Sequence, residues 1–190
     1  TNDYDLYLLD AAGTTIVGSS TTLQNGSQDP FEFITSPATG ERIVIVKVSG
    51  DARFLHLDTG RGQLTINTSG NTKGHSAATN AFSVAAVDVA TAFPNPFTGG
   101  PANPVETFSS DGPRQVFFNV DGTPITPGDF SATGGFVRQK PDIAAADGVV
   151  TTLPPNSGLN PFFGTSAAAP HAGAIAALLN RWGKRTAKGH

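Results

Sequence analysis

A serine stands at the start of an alanine-rich apolar run, GTSAAAPHAGAIAALL, over residues 164–179. A Ser or Thr at a helix start commonly caps it by accepting a hydrogen bond from a backbone N–H two or three residues on, and Thr165 and Ser166 fit that role. The position also suits a nucleophile, because free N–H groups and the positive end of the helix dipole stabilise an oxyanion beside the hydroxyl. The residues alone permit both interpretations.

Pro170 indicates where this helix begins. Proline lacks a backbone N–H and is tolerated in the first turn, where that group has no intrahelical partner, so the pattern predicts a start near Ser166. Apolar side chains fill most of the circumference: the alanines with Ile175, Leu178, Leu179 and Trp182. Such a helix is expected to be deeply buried.

The first third of the chain predicts a small antiparallel sheet. Segments rich in β-branched and aromatic residues alternate with turns: DYDLYLL, TTIVGSS, FEFIT, RIVIVKV, RFLHL and QLTIN. Small-residue apolar runs then alternate with Gly/Pro loops, as in strands covered on both faces, and QVFFNV predicts a further strand. We therefore predict an α/β fold, with an antiparallel β-sandwich-like unit over residues 1–68 and a parallel-sheet part with the serine helix over residues 69–190.

Composition excludes several classes of partner. The formal net charge is −3 and charged residues make up 14% of the chain, which supplies no field for holding nucleic acid or anionic lipid. Cysteine is absent, so disulfides and thiolate metal sites are excluded. No apolar run is long enough to span a membrane. Because the chain also lacks methionine and a signal peptide, we interpret it as a piece of a longer protein.

Four segments resemble, in order, motifs of the subtilisin-like serine peptidases. FSVAAVDV resembles the family's VGAVD strand, ETFSSDGP its FSSxGP loop, KPDIAAADGV its KPDIxAPG segment, and the serine run its serine motif. Ala86 replaces a glycine of the family pattern and Ala146 a proline. The resemblance implies the C-terminal part of a serine endopeptidase, in which Ser166 is the acylating nucleophile and its own N–H contributes to the oxyanion hole. It also implies that His171 is a structural histidine rather than the base.

A serine nucleophile needs an imidazole base and a carboxylate that orients it. Asp58, in the family's Asp-Thr-Gly motif, and His75 precede Ser166 in the family's order. Only 17 residues separate positions 58 and 75, too few for the strand, loop and helix start that the family places there. The preferred interpretation puts the catalytic Asp and His upstream of residue 1 and makes this chain inactive alone. A triad of Asp58, His75 and Ser166 is the alternative.

Residues 1–62 resemble the pre-peptidase C-terminal β-domain of secreted peptidases, with DYDLYLLDAAGTTI as its opening and RIVIVKVSG as a late strand. Asp58 is then a strand-end residue, and the β-unit is an insertion within the peptidase domain. The family resemblance implies a secreted or cell-envelope location. Asn71, in SGNTKG, resembles the family's oxyanion-hole asparagine. The alternative makes Asn71 a turn residue and puts the oxyanion asparagine upstream as well.

Two rival functions stay open. GHSAA resembles the esterase nucleophile elbow GxSxG without its last glycine, and Ser76, Asp142 and His171 follow the required Ser, Asp, His order. Alternatively, the chain is an inert binding or structural fragment, or part of a pseudoenzyme.

The partners and cofactors expected follow from the peptidase interpretation. A polypeptide substrate and the remaining N-terminal half of the peptidase domain are the expected partners, and the chemistry requires no cofactor. Asp3, Asp5 and Asp10 could hold a structural Ca²⁺, which favours clustered carboxylates. Acidic residues beside turns are otherwise merely solvated.

Overall fold

Two units make up the chain. The computed structural model describes residues 2–35, 37–60, 62–89, 101 and 103–186, with side chains of the last helix described to residue 183. Unit 1 comprises residues 1–55 and 126–134, and unit 2 comprises residues 56–125 and 135–190. The return of residues 126–134 to unit 1 has no counterpart in the sequence pattern. The domain assignment of 1–68 and 69–190 stays a prediction.

Unit 1 contains a three-stranded antiparallel sheet in the order β2-β1-β3. The strands are β1 (Asp3–Leu9), β2 (Ile16–Ser20) and β3 (Arg42–Ser49). Asp10 forms the turn between β1 and β2, because its Oδ1 accepts hydrogen bonds from the backbone N–H of Thr14 at 2.8 Å and of Thr15 at 3.2 Å. The antiparallel pairing of DYDLYLL, IVGSS and RIVIVKV is as predicted. Among the described residues of this unit there is no second sheet to complete a sandwich.

Three predicted strands are absent: the described residues of FEFIT, RFLHL and QLTIN form no ladder. Side-chain hydrogen bonds replace the ladder near the first of them. The buried Gln24 accepts from the Tyr4 N–H at 3.0 Å and donates to the Tyr4 carbonyl at 2.8 Å and to Glu32 Oε1 at 2.9 Å. A segment with strand propensity forms a strand only where a neighbouring edge accepts it, and here polar side chains occupy that edge.

Unit 2 is built on two parallel strands, β4 (Val84–Asp88) and β7 (Ile143–Asp147). They pair in register from Val84 opposite Ile143 to Asp88 opposite Asp147. The short strands β5 (Arg114–Val116) and β6 (Phe136–Arg138) form a separate antiparallel pair. The parallel pairing confirms the α/β prediction for this part of the chain. Of the strand predicted at QVFFNV, only the first two residues, Gln115 and Val116, belong to β5.

Lys140 and Asp142 anchor β7 to the segment that leads into β4. The Lys140 side chain is 3% exposed, and its Nζ donates to the Ala81 carbonyl at 2.6 Å and to Asp142 Oδ2 at 2.7 Å. The same Asp142 oxygen accepts from the Ser83 N–H at 2.7 Å. The buried cation therefore has both a countercharge and a carbonyl, as burial of an ammonium group requires.

Helix α1 (Thr165–Thr186) packs on β4 and β7, and the alanines at its start, Ala167 and Ala168, are buried. The predicted deep burial of the whole helix is wrong for the described side chains, because Ile175, Leu178, Leu179 and Trp182 are between 56% and 73% exposed. Twenty-two residues extend about 33 Å, whereas the five-residue strands extend about 16 Å. The sheet therefore covers only the first part of the helix. No described helix is long and apolar enough to cross a lipid bilayer.

Trp182 reports this exposure directly, because it is the single tryptophan of the chain and its side chain is 73% exposed. We expect a fluorescence emission maximum close to that of tryptophan in water and efficient quenching by acrylamide. A blue-shifted spectrum that resists acrylamide in the monomeric chain would contradict the exposed helix face. Unfolding in denaturant provides the reference for full exposure.

Candidate active site

Gly164, in the turn before α1, is hydrogen-bonded through both its N–H and its carbonyl oxygen. Gly164 has φ +141°, a conformation that glycine adopts without strain. Its N–H donates to Oδ2 of Asp147, the last residue of β7, at 2.8 Å. Its carbonyl accepts from the N–H groups of Ala167 at 2.9 Å and Ala168 at 3.2 Å. Gly164 is therefore the residue through which the sheet fixes the start of the helix.

Ser166 lies in the first turn of α1 with an exposed side chain. Among the described residues, neither its hydroxyl nor its backbone N–H has a hydrogen-bond partner. The helix begins at Thr165, one residue before the predicted start, so Pro170 lies inside the helix rather than in its first turn. Proline cannot donate to the Ser166 carbonyl four residues back. The serine thus presents a hydroxyl and a backbone donor at the positive end of the helix, and it caps nothing.

His171 lies one turn further along the same helix. Its Nδ1 is 2.7 Å from the Ala167 carbonyl oxygen, which it reaches back to within α1. The ring is hydrogen-bonded to its own helix and makes no described contact with Ser166. This arrangement agrees with a structural histidine and gives no support to His171 as the base.

Asp58 and His75 are not connected to each other or to Ser166 by any hydrogen bond between described residues. Asp58 forms an ion pair with Lys73, and its Oδ1 accepts from the Gly60 N–H at 2.8 Å. His75 is exposed in a short 3₁₀ helix (Gly74–Ala77). Asp58 is therefore already occupied by a cation and a turn amide, and the structure does not assemble the alternative triad.

Asn71 lies in a loop that Asp111 holds by its backbone. Oδ1 of Asp111 accepts from the N–H groups of Gly70 at 3.0 Å and Asn71 at 3.1 Å, and its carbonyl accepts from the N–H of the buried Thr72 at 2.9 Å. The Asn71 side chain is exposed. The loop presents an amide group on a fixed backbone, as an oxyanion donor requires. Sequence reasoning missed Asp111, although the FSSDGP loop contains it.

The family model described as Subtilase family matches residues 9–186. The chain belongs to the subtilase family. The match begins at Leu9, the last residue of β1, and takes in β2 and β3 as well as unit 2, so it supports a serine peptidase relationship for the chain without separating the two units. Neither the curated proteins nor the solved structures gave a match.

Another histidine of the subtilase chain, His56, contacts an arginine, and sequence reasoning missed this contact. His56 Nδ1 lies 2.9 Å from Nη1 of Arg114, the residue that follows the FSSDGP loop. Burial lowers the pKa of His56, and the positive charges of Arg114 and Lys73 lower it further. The lowered pKa favours the neutral imidazole, and because a guanidinium can only donate, Nδ1 is the acceptor in this contact.

The carboxylate of Glu106 in the subtilase chain is affected by two others, Asp88 at the end of β4 and Asp147 at the end of β7. Burial raises the pKa of Glu106, and the negative charges of Asp147 and Asp88 raise it further. Asp147 is fully buried, and its Oδ1 has no hydrogen-bond partner among the described residues. No pattern in the sequence singled out Asp147 for a role beside the serine.

The carboxylates predicted to hold calcium lie in unit 1 and bind separate partners. Asp3 Oδ1 accepts from the Gln24 N–H at 2.9 Å, Asp5 Oδ2 accepts from the Tyr7 hydroxyl at 3.0 Å, and Asp10 holds the turn after β1. No group of three or more metal-ligating side chains occurs in the described part of the chain. The calcium site stays a prediction, and chelation tests it through the melting temperature.

The esterase constellation receives no structural support. Ser76 lies in the 3₁₀ helix, Asp142 binds Lys140 and the Ser83 N–H, and His171 binds the Ala167 carbonyl. Each candidate has a different partner, and no described hydrogen bond joins any two of the three. The strand-to-helix elbow that the motif requires is also absent, because a 3₁₀ turn surrounds Ser76.

Proposed function

We propose that this subtilase chain carries the nucleophilic serine of a secreted or cell-envelope endopeptidase and that the base and its aspartate come from the remaining N-terminal half of the peptidase domain. The observation that carries the proposal is the state of Ser166, whose hydroxyl and N–H are both unpartnered among the described residues at the start of α1. A capping serine would use its oxygen to accept a helix N–H. Here the Gly164 carbonyl accepts those bonds instead.

The reaction divides into two steps. In the complete enzyme an imidazole takes the hydroxyl proton as Ser166 Oγ attacks the peptide carbonyl, and the tetrahedral intermediate collapses to an acyl-enzyme with release of the amine. The Ser166 N–H, at the positive end of α1, donates to the developing oxyanion. Water then attacks the ester and releases the carboxylic acid.

The exposed face of α1 supports the second half of the proposal. Apolar side chains at positions 175, 178, 179 and 182 follow the spacing of one helix face and stay exposed beside the described elements of unit 2. Exposed contiguous apolar surface of this kind marks an interaction site. The N-terminal half of the peptidase domain, which would bring the missing base, is the partner we assign to it.

Labelling with a fluorophosphonate tests the proposal. We expect no modification of this chain alone, because the described contacts supply Ser166 with no base. Joined to the N-terminal half as one polypeptide, the chain should be modified stoichiometrically at Ser166, with loss of labelling in Ser166→Ala and retention in Ser76→Ala. Intact mass and peptide mapping locate the label.

The outcomes separate the alternatives. Modification of the isolated chain at Ser166 would show an internal base and revive Asp58 and His75. Modification at Ser76 would establish the esterase. A longer polypeptide that folds cooperatively and takes up no label at Ser166 would make the chain an inert binding fragment or a pseudoenzyme.

A further inference from the structure

Asp147 is a fully buried carboxylate at the end of β7 whose side chain contacts the turn before Ser166. Its exposed fraction is 0%, and its Oδ2 accepts from the Gly164 N–H at 2.8 Å. Burial of a carboxylate is costly unless hydrogen bonds or opposite charge compensate it. Among the described residues, Oδ2 has the Gly164 N–H as its donor, whereas Oδ1 has no hydrogen-bond partner. The Gly164 N–H is therefore the hydrogen bond that this buried carboxylate depends on.

The contact acts on the residue that organises the first turn. The Gly164 carbonyl accepts from the N–H groups of Ala167 and Ala168, which are two of the four donors that a helix start leaves unsatisfied. The other two donors, Thr165 and Ser166, keep free N–H groups within the described structure. The orientation of Gly164 therefore decides which backbone donors remain available beside the serine hydroxyl.

No other described side chain hydrogen-bonds to the turn formed by residues 163–165. Gly164 has φ +141°. Backbone sterics do not hold a glycine at this value, because glycine can adopt many other conformations. A specific restraint is needed if the turn is to keep this conformation. The carboxylate of Asp147, attached to the sheet, supplies it.

We propose that Asp147 is a positioning residue for Ser166, which fixes Gly164 so that the hydroxyl and the N–H of the serine face the same site. This inference rests on the proposed function, because it assigns a task at the same serine. Asp147 itself does not touch substrate. It acts through the Gly164 N–H and the helix start.

The hydrogen bond is tested in the isolated chain by NMR, without any measurement of activity. In the wild-type chain we expect a scalar coupling across the hydrogen bond from the Gly164 nitrogen to the Asp147 carboxyl carbon. Asp147→Ala should accelerate hydrogen exchange of the Gly164 amide by about tenfold, as for loss of one hydrogen bond, and should move the Ser166 amide resonance. Asp147→Asn keeps an acceptor oxygen and should restore both signals.

Ser109→Ala is the matched control, because Ser109 Oγ also accepts a backbone N–H, that of Ala86 at 3.0 Å, but away from the serine. It should leave the Gly164 and Ser166 amides unchanged. The proposal is overturned if the coupling is missing and the wild-type Gly164 amide exchanges like an unprotected one, or if a folded Asp147→Ala leaves both amides at their wild-type values.

Two further readouts keep the test decisive. Should Asp147→Ala fail to fold, the wild-type coupling and the Ser166 resonance of Asp147→Asn give the answer: both retained supports the role, and either lost overturns it. In the longer polypeptide, the fluorophosphonate labelling rate should fall in Asp147→Ala and recover in Asp147→Asn. Failure of labelling in the wild type would refute the proposed function while the NMR result stands.

Discussion

Replacement of Gly112 by alanine is expected to destabilise unit 2 strongly. A Cβ at Gly112 would overlap the backbone carbonyl of Lys140, and a backbone atom cannot rotate away as a side chain does. Gly112 lies in the FSSDGP loop, and Lys140 lies just before β7. The loop and the strand would have to separate. Overpacking of this kind costs about 3 kcal/mol or more, and the melting temperature should fall by roughly 6–12 °C.

Gly173→Ala is the control for this substitution. Gly173 lies within α1 with no atom near the position of its missing Cβ, so alanine there should raise the stability by roughly 0.5–1 kcal/mol through helix propensity. Thermal melts followed by circular dichroism compare the two variants. Equal melting temperatures for Gly112→Ala and the wild type would show that the loop does not approach β7 so closely.

Removal of the Asp142 carboxylate is expected to cost about 3 kcal/mol, the lower end of the range for breaking a buried ion pair. Asp142→Ala would leave the Lys140 ammonium with only the Ala81 carbonyl, in a site where the lysine side chain is 3% exposed. The Ser83 N–H would also lose its acceptor. Lys140→Met removes the buried charge instead and should cost less. Denaturant titration gives both values, and a larger loss in Lys140→Met would refute the argument.

The same ion pair makes stability depend on pH in a defined direction. The hydrogen bond from Lys140 lowers the pKa of Asp142 below its ordinary value of 3.8, and the Ser83 N–H lowers it further. The folded state therefore holds the Asp142 proton less tightly than the unfolded state. The stabilisation is complete above the ordinary value and is lost as the pH falls toward the folded pKa. Asp142→Ala should lack this component of the acid denaturation curve.

The sequence patterns that predicted structure correctly were those with a local physical cause. Alternating β-branched and aromatic residues predicted β1 and β3, and the glycine, serine and proline of the last segment predicted the start of α1 to within one residue. Small apolar runs predicted parallel strands in the second part of the chain, where β4 and β7 pair, but did not predict that pairing. FEFIT has the same composition but forms no strand, because Gln24 and Glu32 take the hydrogen bonds that a neighbouring strand would make. Strand propensity does not indicate whether a neighbouring strand has a free edge for pairing.

The site shows the same limit. The serine motif identifies Ser166 as the candidate nucleophile from 16 consecutive residues, 164–179. Asp147 is 17 residues from Gly164 along the chain, and Asp111 is 40 residues from Asn71. Contacts of this separation depend on the pairing of β4 with β7 and on the path of the loops. The sequence around an aspartate does not indicate which backbone N–H will donate a hydrogen bond to its carboxylate.

Unit 1 is assembled from two stretches of chain, and this arrangement limits how it could be transferred between proteins. The Arg53 guanidinium lies 5.1 Å from the centre of the Phe130 ring, and the Phe54 N–H donates to the Phe130 carbonyl at 2.7 Å. A gene fragment that ends at residue 55 would lack the second stretch, residues 126–134. Recombination that transfers the first stretch alone would therefore transfer an incomplete unit 1. We expect the two stretches to be inherited together.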